Sequence, residues 1–450
     1  MLYRLLIKQF IGSKIAIIGL SFLLVTGIVS LFIGKVFLNK QQSKIEETAL
    51  YQKQHIDRIV QFENKEMGLL LYYLRFAYVN NLQPLNGLSI GQRDVNLGIQ
   101  QVTIRNLEEK KYDADLNNPV SLAMGNLDFG FVIIYLFPLL IIAFTYNLLS
   151  EEKEEGTWKL VQSQSKNAKK LLWQKLLVRF VFTTTALLIL YTLSVIILNM
   201  PITSAFIATT ALGMLYIIFW FAISMWVVSW QKNSSVNAVS LLSIWLLLNI
   251  IAPAIINNFI TTAYPIPEAF GTAVANREGY HSKWDEPKEH TMNDFYTHYP
   301  QFKKYILPKK EFSWLWYYAM QQMGDDDAAA QSTAMRNKLT QREKLSNTIG
   351  YFIPTLHTQL QLNNIAQSGL QNQIDFLDST TAFHERKRLY FYPKIFEDSA
   401  VLQVDWSKHE VEFFTQKQSI SWLKLLMPML VSILFFIMLF FIGFQKGFKK

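Results

Sequence analysis

Four glutamates in five residues, Glu151, Glu152, Glu154 and Glu155, followed by Gly156, Thr157 and Trp158, stand directly after an uncharged apolar run from Phe129 to Ser150. Acidic side chains at a membrane exit carry a cost in orientation and surface potential unless something uses them. The economical user is a basic cleft on a soluble partner, so the chemistry expected here is ionic docking rather than catalysis. Glu152, Glu154 and Glu155 would meet the partner's basic residues and Gly156 would allow close backbone approach. Trp158 and Trp173 would anchor the segment at the interface. Downstream, Lys166, Lys169, Lys170, Lys175 and Arg179 are interleaved with Leu171, Leu172, Leu176 and Leu177 at helical spacing, which predicts a basic amphipathic helix in the headgroup plane. A solvated loop would account for the lysines but not for the glutamates.

Two other clusters could do chemistry. His281, His290 and His298, with Met292 nearby, offer imidazole and thioether ligands of the kind copper accepts. Their spacings match no ligand motif, and a segment rich in Trp, Tyr and charge usually holds surface histidines. Asp325, Asp326 and Asp327 could bind calcium, but the spaced oxygen ligands of a known loop are missing. They read instead as the acidic start of a long helix, at its positive end. No G-x-x-x-x-G-K-[ST] loop, H-E-x-x-H or paired-cysteine zinc spacing occurs. The chain is therefore expected not to be an enzyme, and to hold no cofactor of its own. Without cysteine it has neither a disulfide framework nor a thiolate nucleophile.

The elements that must position these residues are membrane spans. With 51% hydrophobic and 17% charged residues in 450, and the apolar ones concentrated in runs, the chain reads as an α-helical integral membrane protein. Six transmembrane helices are expected at 15–38, 129–150, 176–198, 204–230, 236–262 and 425–445. A cytoplasmic interfacial helix at 1–14 precedes the first, and a cytoplasmic helix at 151–175, to which the resemblance given below assigns a coupling role, lies between the second and third. The first run could be a secretory signal, but it is long for one and lacks a small-x-small cleavage pattern, so it reads as a retained anchor. Two mainly helical extracytoplasmic insertions, 39–128 and 264–424, are expected as separate domains. In the first, Ile56, Val60, Met67, Leu71, Leu74 and Tyr78 predict a long amphipathic helix, with loops or short strands from Asn81 to Gly98. In the second, helix is expected from Thr355 to Lys387 with a break at Gly369. The fifth span is interrupted by Pro253 among Asn249, Asn257 and Asn258, and would either line a cavity or simply kink. The cytoplasmic segments, with Arg179 at the entry of the third span, carry 14 Lys and Arg against 4 Asp and Glu, leaving 29 basic and 30 acidic of the chain's 43 and 34. The +9 charge thus follows the positive-inside rule and does not call for nucleic acid.

Glu152-Lys153-Glu154-Glu155-Gly156-Thr157, Leu160-Val161 and Lys175-Leu176-Leu177 resemble the exit of the second span in permease subunits of type-2 ABC exporters. The chain departs from that pattern at Ser165, where the family commonly has proline. The layout, with Pro354, Leu360, Ala366, Ser368-Gly369, Phe376 and His384-x-x-x-Arg388-x-x-x-Tyr392, is similar to a subgroup labelled for maturation of multi-copper enzymes; the label does not make copper a substrate here. The resemblance implies a permease in the bacterial cytoplasmic (inner) membrane, both termini cytoplasmic, in a homodimer or a heterodimer with a related permease. It also implies that residues 151–173 dock on a separate ATPase subunit, which carries the ATP and Mg. The alternative is a membrane-anchored scaffold whose outer domains bind an envelope protein, with no substrate path.

Overall fold

The structure, a computed structural model, describes residues 2–111, 126–157, 168–266, 268–309, 312–417 and 419–447. Helix α1 (Leu2–Gly12) buries Leu6 and Phe10, the latter edge-on to Phe144 at 5.0 Å, and leaves Tyr3, Leu5, Ile7 and Ile11 exposed. That division suits an interfacial helix. The Ser13 hydroxyl accepts from Ala16 N at 3.1 Å and caps α2 (Lys14–Phe62). The span expected over 15–38 is only the first part of α2. Neither Gly nor Pro occurs from Lys35 to Phe62, so nothing ends the backbone ladder, and a 49-residue rod runs from the apolar stretch into the polar one.

The amphipathic helix expected through Tyr78 is divided. After α2 ends, α3 (Met67–Tyr73) forms a short second helix and Tyr78 enters strand β1 (Phe76–Asn80). All five β1 residues are buried, so the alternation that marks a half-buried strand is missing. Strand β2 (Ile99–Val102) pairs antiparallel with β1, Phe76 opposite Val102.

Helix α4 (Phe129–Glu154) widens into a π turn over Val132–Leu136, just before Pro138. Next come α5 (Ala168–Ile197), α6 (Ser204–Val228) and α7 (Ser234–Ala263). The α5–α6 turn falls at Asn199, with φ 50°, and Pro201, as expected. A second π turn, Leu247–Ile251, precedes Pro253 in α7. Neither proline can donate an N–H to the preceding turn, and a widened turn is the usual accommodation. Neighbouring helices partner the polar groups at this level. Tyr216 Oη donates to Ile134 O at 3.1 Å and lies 3.2 Å from Asn249 Oδ1, while Trp245 Nε1 donates to Tyr135 O at 3.2 Å. Of the two readings of Pro253, this favours a locally deformed helix with satisfied groups.

The second insertion holds α8 (Glu268–Ser282), α9 (Lys288–His298), α10 (Trp314–Gly350), α11 (Pro354–Ile365), α12 (Leu370–Phe396) and β3 (Glu412–Phe414), before α13 (Trp422–Gly447) closes the fold. Gly369 separates α11 from α12, as expected. Asp325–Asp327 do not begin a helix: α10 starts at Trp314 under a Ser313 cap, and the aspartates lie well inside it. Strand β3 pairs parallel with β1, Tyr78 opposite Glu412, giving the order β2-β1-β3. One sheet therefore takes strands from both insertions. A shared aromatic core lies behind it, with Tyr78 stacked on Phe383 at 4.6 Å and Phe76 on Phe391 at 5.5 Å. The insertions expected as two domains form one.

Among the described residues, six helices are long and apolar enough to cross a membrane, within α2, α4, α5, α6, α7 and α13, as an α-helical multi-pass membrane protein requires. Helices α4 and α6 are buried along two thirds of their most apolar stretches and the others along a third or less, which places these two at the centre. The insert domain is bolted to the bundle. A Cβ on Gly34 of α2 would come 2.0 Å from Gly87 O, so only glycine permits that approach. Through α11, His357 Nε2 bonds Leu425 O of α13 at 2.9 Å.

Candidate functional site

Helix α4 does not run straight to its end. It opens into turns over 146–149 and resumes as one helical turn, Ser150–Glu154. Carbonyls near the opening find side-chain donors: Arg179 Nε of α5 reaches Phe144 O at 2.5 Å, and Asn237 Nδ2 of α7 reaches Tyr146 O at 3.0 Å. The acidic cluster then folds back on the chain. Glu152 Oε1 accepts from Lys175 Nζ of α5 at 2.6 Å, and its Oε2 accepts from Thr157 Oγ1 at 2.6 Å. Glu154 accepts from Ser234 N at 2.7 Å and Ser234 Oγ at 2.8 Å, so its charge sits at the N-terminus of α7 where orphan N–H groups and the helix dipole favour it. Lys153 Nζ donates to Gln231 Oε1 at 3.0 Å in the α6–α7 turn, and the Ser150 and Ser234 hydroxyls are 2.7 Å apart. Glu151 accepts from Asn147 Nδ2 at 3.2 Å.

Glu152 and Glu154 bond within the chain, whereas Glu155 is exposed and outside the network. Gly156 has φ 75°, which favours glycine, and a Cβ there would meet nothing within 4 Å. Its requirement is the shape of the turn. Trp158, Leu160, Val161, Ser165 and Lys166 lie outside the described residues. The basic helix expected to lie in the headgroup plane is, from Ala168 onward, continuous with the third span, since no breaker interrupts residues 168–197. Trp173 is half-exposed and edge-on to Phe440 of α13 at 6.2 Å.

The histidines are not brought together. His281 lies against the Tyr280 ring at the end of α8, and His290 is exposed between Glu286 and Asp294. His298 Nδ1 is 2.7 Å from Asp326 Oδ2, a bond that holds its pKa above the usual histidine range. Met292 is buried in the aromatic core. Among the described residues, no three His, Asp or Glu side chains are placed to hold a metal ion.

Each aspartate of the 325–327 run has its own partner, and one belongs to a buried network that sequence reasoning missed. Asp327 pairs with Lys283 at 2.6 Å and Asp326 with His298, while Asp325 Oδ2 meets Arg388 Nη2 at 2.7 Å. Asp325 also accepts from Leu107 N and Glu108 N at 3.0 Å and from Asn276 Nδ2 at 2.7 Å. Arg388 donates to Ile104 O, Arg105 O and Gln322 Oε1 as well. One turn away on α12, His384 Nε2 bonds Thr103 O at 2.8 Å; burial first, then the neighbouring Arg388 charge, holds this imidazole well below its usual pKa, so it is the neutral Nε2–H tautomer that donates. The four-residue spacing thus puts His384 and Arg388 on one buried face that grips residues 103–105 of the first insertion, while Tyr392, one turn further, packs in the aromatic core.

A family model described as a domain of unknown function (DUF3526) matches residues 269–415, less than half of the chain. No curated protein and no solved structure matches the chain. The matched stretch runs from α8 to just past β3 and holds Asp325 and Arg388. The acidic turn at 151–157 lies outside it.

Proposed function

We propose that the chain is the permease subunit of an ABC exporter, with Glu151 to Trp173 forming the cytoplasmic dock for a separate ATPase subunit that carries ATP and Mg. The observation that supports this reading most is the bonding of the acidic turn. It is continuous with α4, tied to α5 through Glu152–Lys175, and tied to α7 through Glu154–Ser234. A push delivered to that turn would reach three spans at once, as a coupling element requires. The insert domain would lie on the extracytoplasmic side, and α11 would carry the motion onward through His357 to α13. Two copies, or one copy and a related permease, would complete the transporter in a bacterial cytoplasmic membrane with both termini inside.

Glu155 is the exposed acid left to meet a basic partner. Glu155→Lys is expected to lower ATPase co-purification in mild detergent on the order of tenfold, the scale of a lost charge-assisted contact, with thermal stability unchanged. Undiminished co-purification would remove Glu155 from the dock. A second reading, a scaffold for an envelope protein, draws on the single insert domain built from both insertions. ATPase activity stimulated only by an envelope protein would favour the scaffold, and stimulation by a small lipid or peptide would favour transport.

A further inference from the structure

Where the insert domain meets α13, an open cleft of about 600 Å³ lies between the C-terminal end of α10, the α11–α12 turn and the segment leading to Trp422. Its volume falls within the range of small-molecule sites. Its lining is unusual for a surface between a polar domain and an apolar helix. Glu343 of α10 is buried there, 7% exposed, with Asn347 Nδ2 donating to its carboxylate at 2.7 Å and the Asn364 side chain also bonding it. Among the described residues no cation pairs with it, and burial pushes its pKa above the usual carboxylate range. A buried carboxylate held only by neutral amides lacks the compensation that buried charges normally have. Around it stand three exposed lysines, Lys344 on the same helix, Lys417 before α13 and Lys424 within its first turn. The apolar side of Leu425 continues the wall toward the span.

Charge of both signs is therefore separated within one cleft, acid inside and base at the rim. A simple anion would meet Glu343, and a simple cation would have to pass the lysines. We propose that this cleft binds a ligand carrying a primary ammonium and a phosphate, the ammonium against Glu343 and the phosphate against Lys417 and Lys424. Such a group is the headgroup of an ethanolamine phospholipid or, free in solution, a glycerophosphoethanolamine. Helix α13 beginning at the mouth gives a lipid headgroup a route to the cleft without leaving its leaflet. The assignment uses no property of the acidic turn at 151–157, so it stands or fails apart from the docking of an ATPase.

The test is equilibrium binding to the purified full chain in detergent, with three probes: short-chain phosphatidylethanolamine, short-chain phosphatidylglycerol and soluble glycerophosphoethanolamine. The ethanolamine lipid is expected to bind and the glycerol lipid to bind at least tenfold more weakly. Glu343→Gln, which keeps an acceptor for Asn347, and Lys417→Gln with Lys424→Gln, at exposed positions, are each expected to weaken the ethanolamine lipid on the order of tenfold. Equal affinity for the soluble compound would make the source a free zwitterion, and binding of the lipid alone would make it the membrane. Binding of neither ethanolamine compound, or lipid affinity unmoved by both sets of substitutions, would overturn the proposal.

Discussion

Asp325→Ala is expected to unfasten the insert domain while leaving the bundle of spans folded. The substitution leaves the Arg388 guanidinium buried without its counter-charge, and it also removes the acceptor of Leu107 N, Glu108 N and Asn276 Nδ2. Breaking one side of a buried pair costs about 3–5 kcal/mol, a large share of a domain's stability. Hydrogen exchange should show residues 103–108 and α12 losing protection together, because Asp325 and Arg388 hold this stretch of the first insertion against the second. Arg388→Lys should cost less, about 1–3 kcal/mol, since the charge survives but the fork that reaches Ile104 O, Arg105 O and Gln322 Oε1 does not. Unchanged protection in Asp325→Ala would mean that the β1–β3 pairing and the aromatic core join the insertions without this pair.

The second large effect is expected at the acidic turn. Glu152→Lys sets two ammonium groups against each other, one of them Lys175 with its side chain only 7% exposed. The cost should lie between that of an exposed pair, about 0–1 kcal/mol, and the 3–5 kcal/mol of a fully buried one. Its functional consequence should be larger than its cost in stability. With the tie to α5 cut, residues 150–157 should exchange faster, and under the proposed docking of an ATPase its ATP hydrolysis should no longer move the third span. Glu152→Lys combined with Lys175→Glu should restore both exchange protection and coupling. A double variant no better than the single would show that the pair does not transmit force.

Much of this was legible in the chain. Uncharged runs of spanning length marked the helices long and apolar enough to cross a membrane, and Asn199-Pro201 and Gly369 marked turns where turns occur. The acidic cluster announced itself by its place after α4. What it bonds was hidden, because Lys175 and Ser234 are local neighbours only once α4, α5 and α7 stand side by side. The composite insert was hidden for a similar reason. Strand β1 is buried on both faces and shows no alternation, β3 is three residues long, and their pairing joins segments far apart in sequence. The three aspartates looked like a helix start because charge at an N-terminus is the commoner local cause; Arg388, the actual reason for Asp325, lies on another helix. The π turns before Pro138 and Pro253 had a local signal in the prolines, but Tyr216 and Trp245, which bond carbonyls there, did not.

The most direct test of the central claim uses the absence of cysteine from the chain. A single Glu155→Cys can be cross-linked in native membranes with a short thiol-to-amine reagent, with Phe352→Cys, 82% exposed at the end of α10 in the insert domain, as its counterpart. Glu155→Cys is expected to capture a soluble subunit whose sequence carries a phosphate-binding G-x-x-x-x-G-K-[ST] loop, and Phe352→Cys is expected not to. Capture of that subunit from Phe352→Cys alone, or from neither position, would contradict the claim.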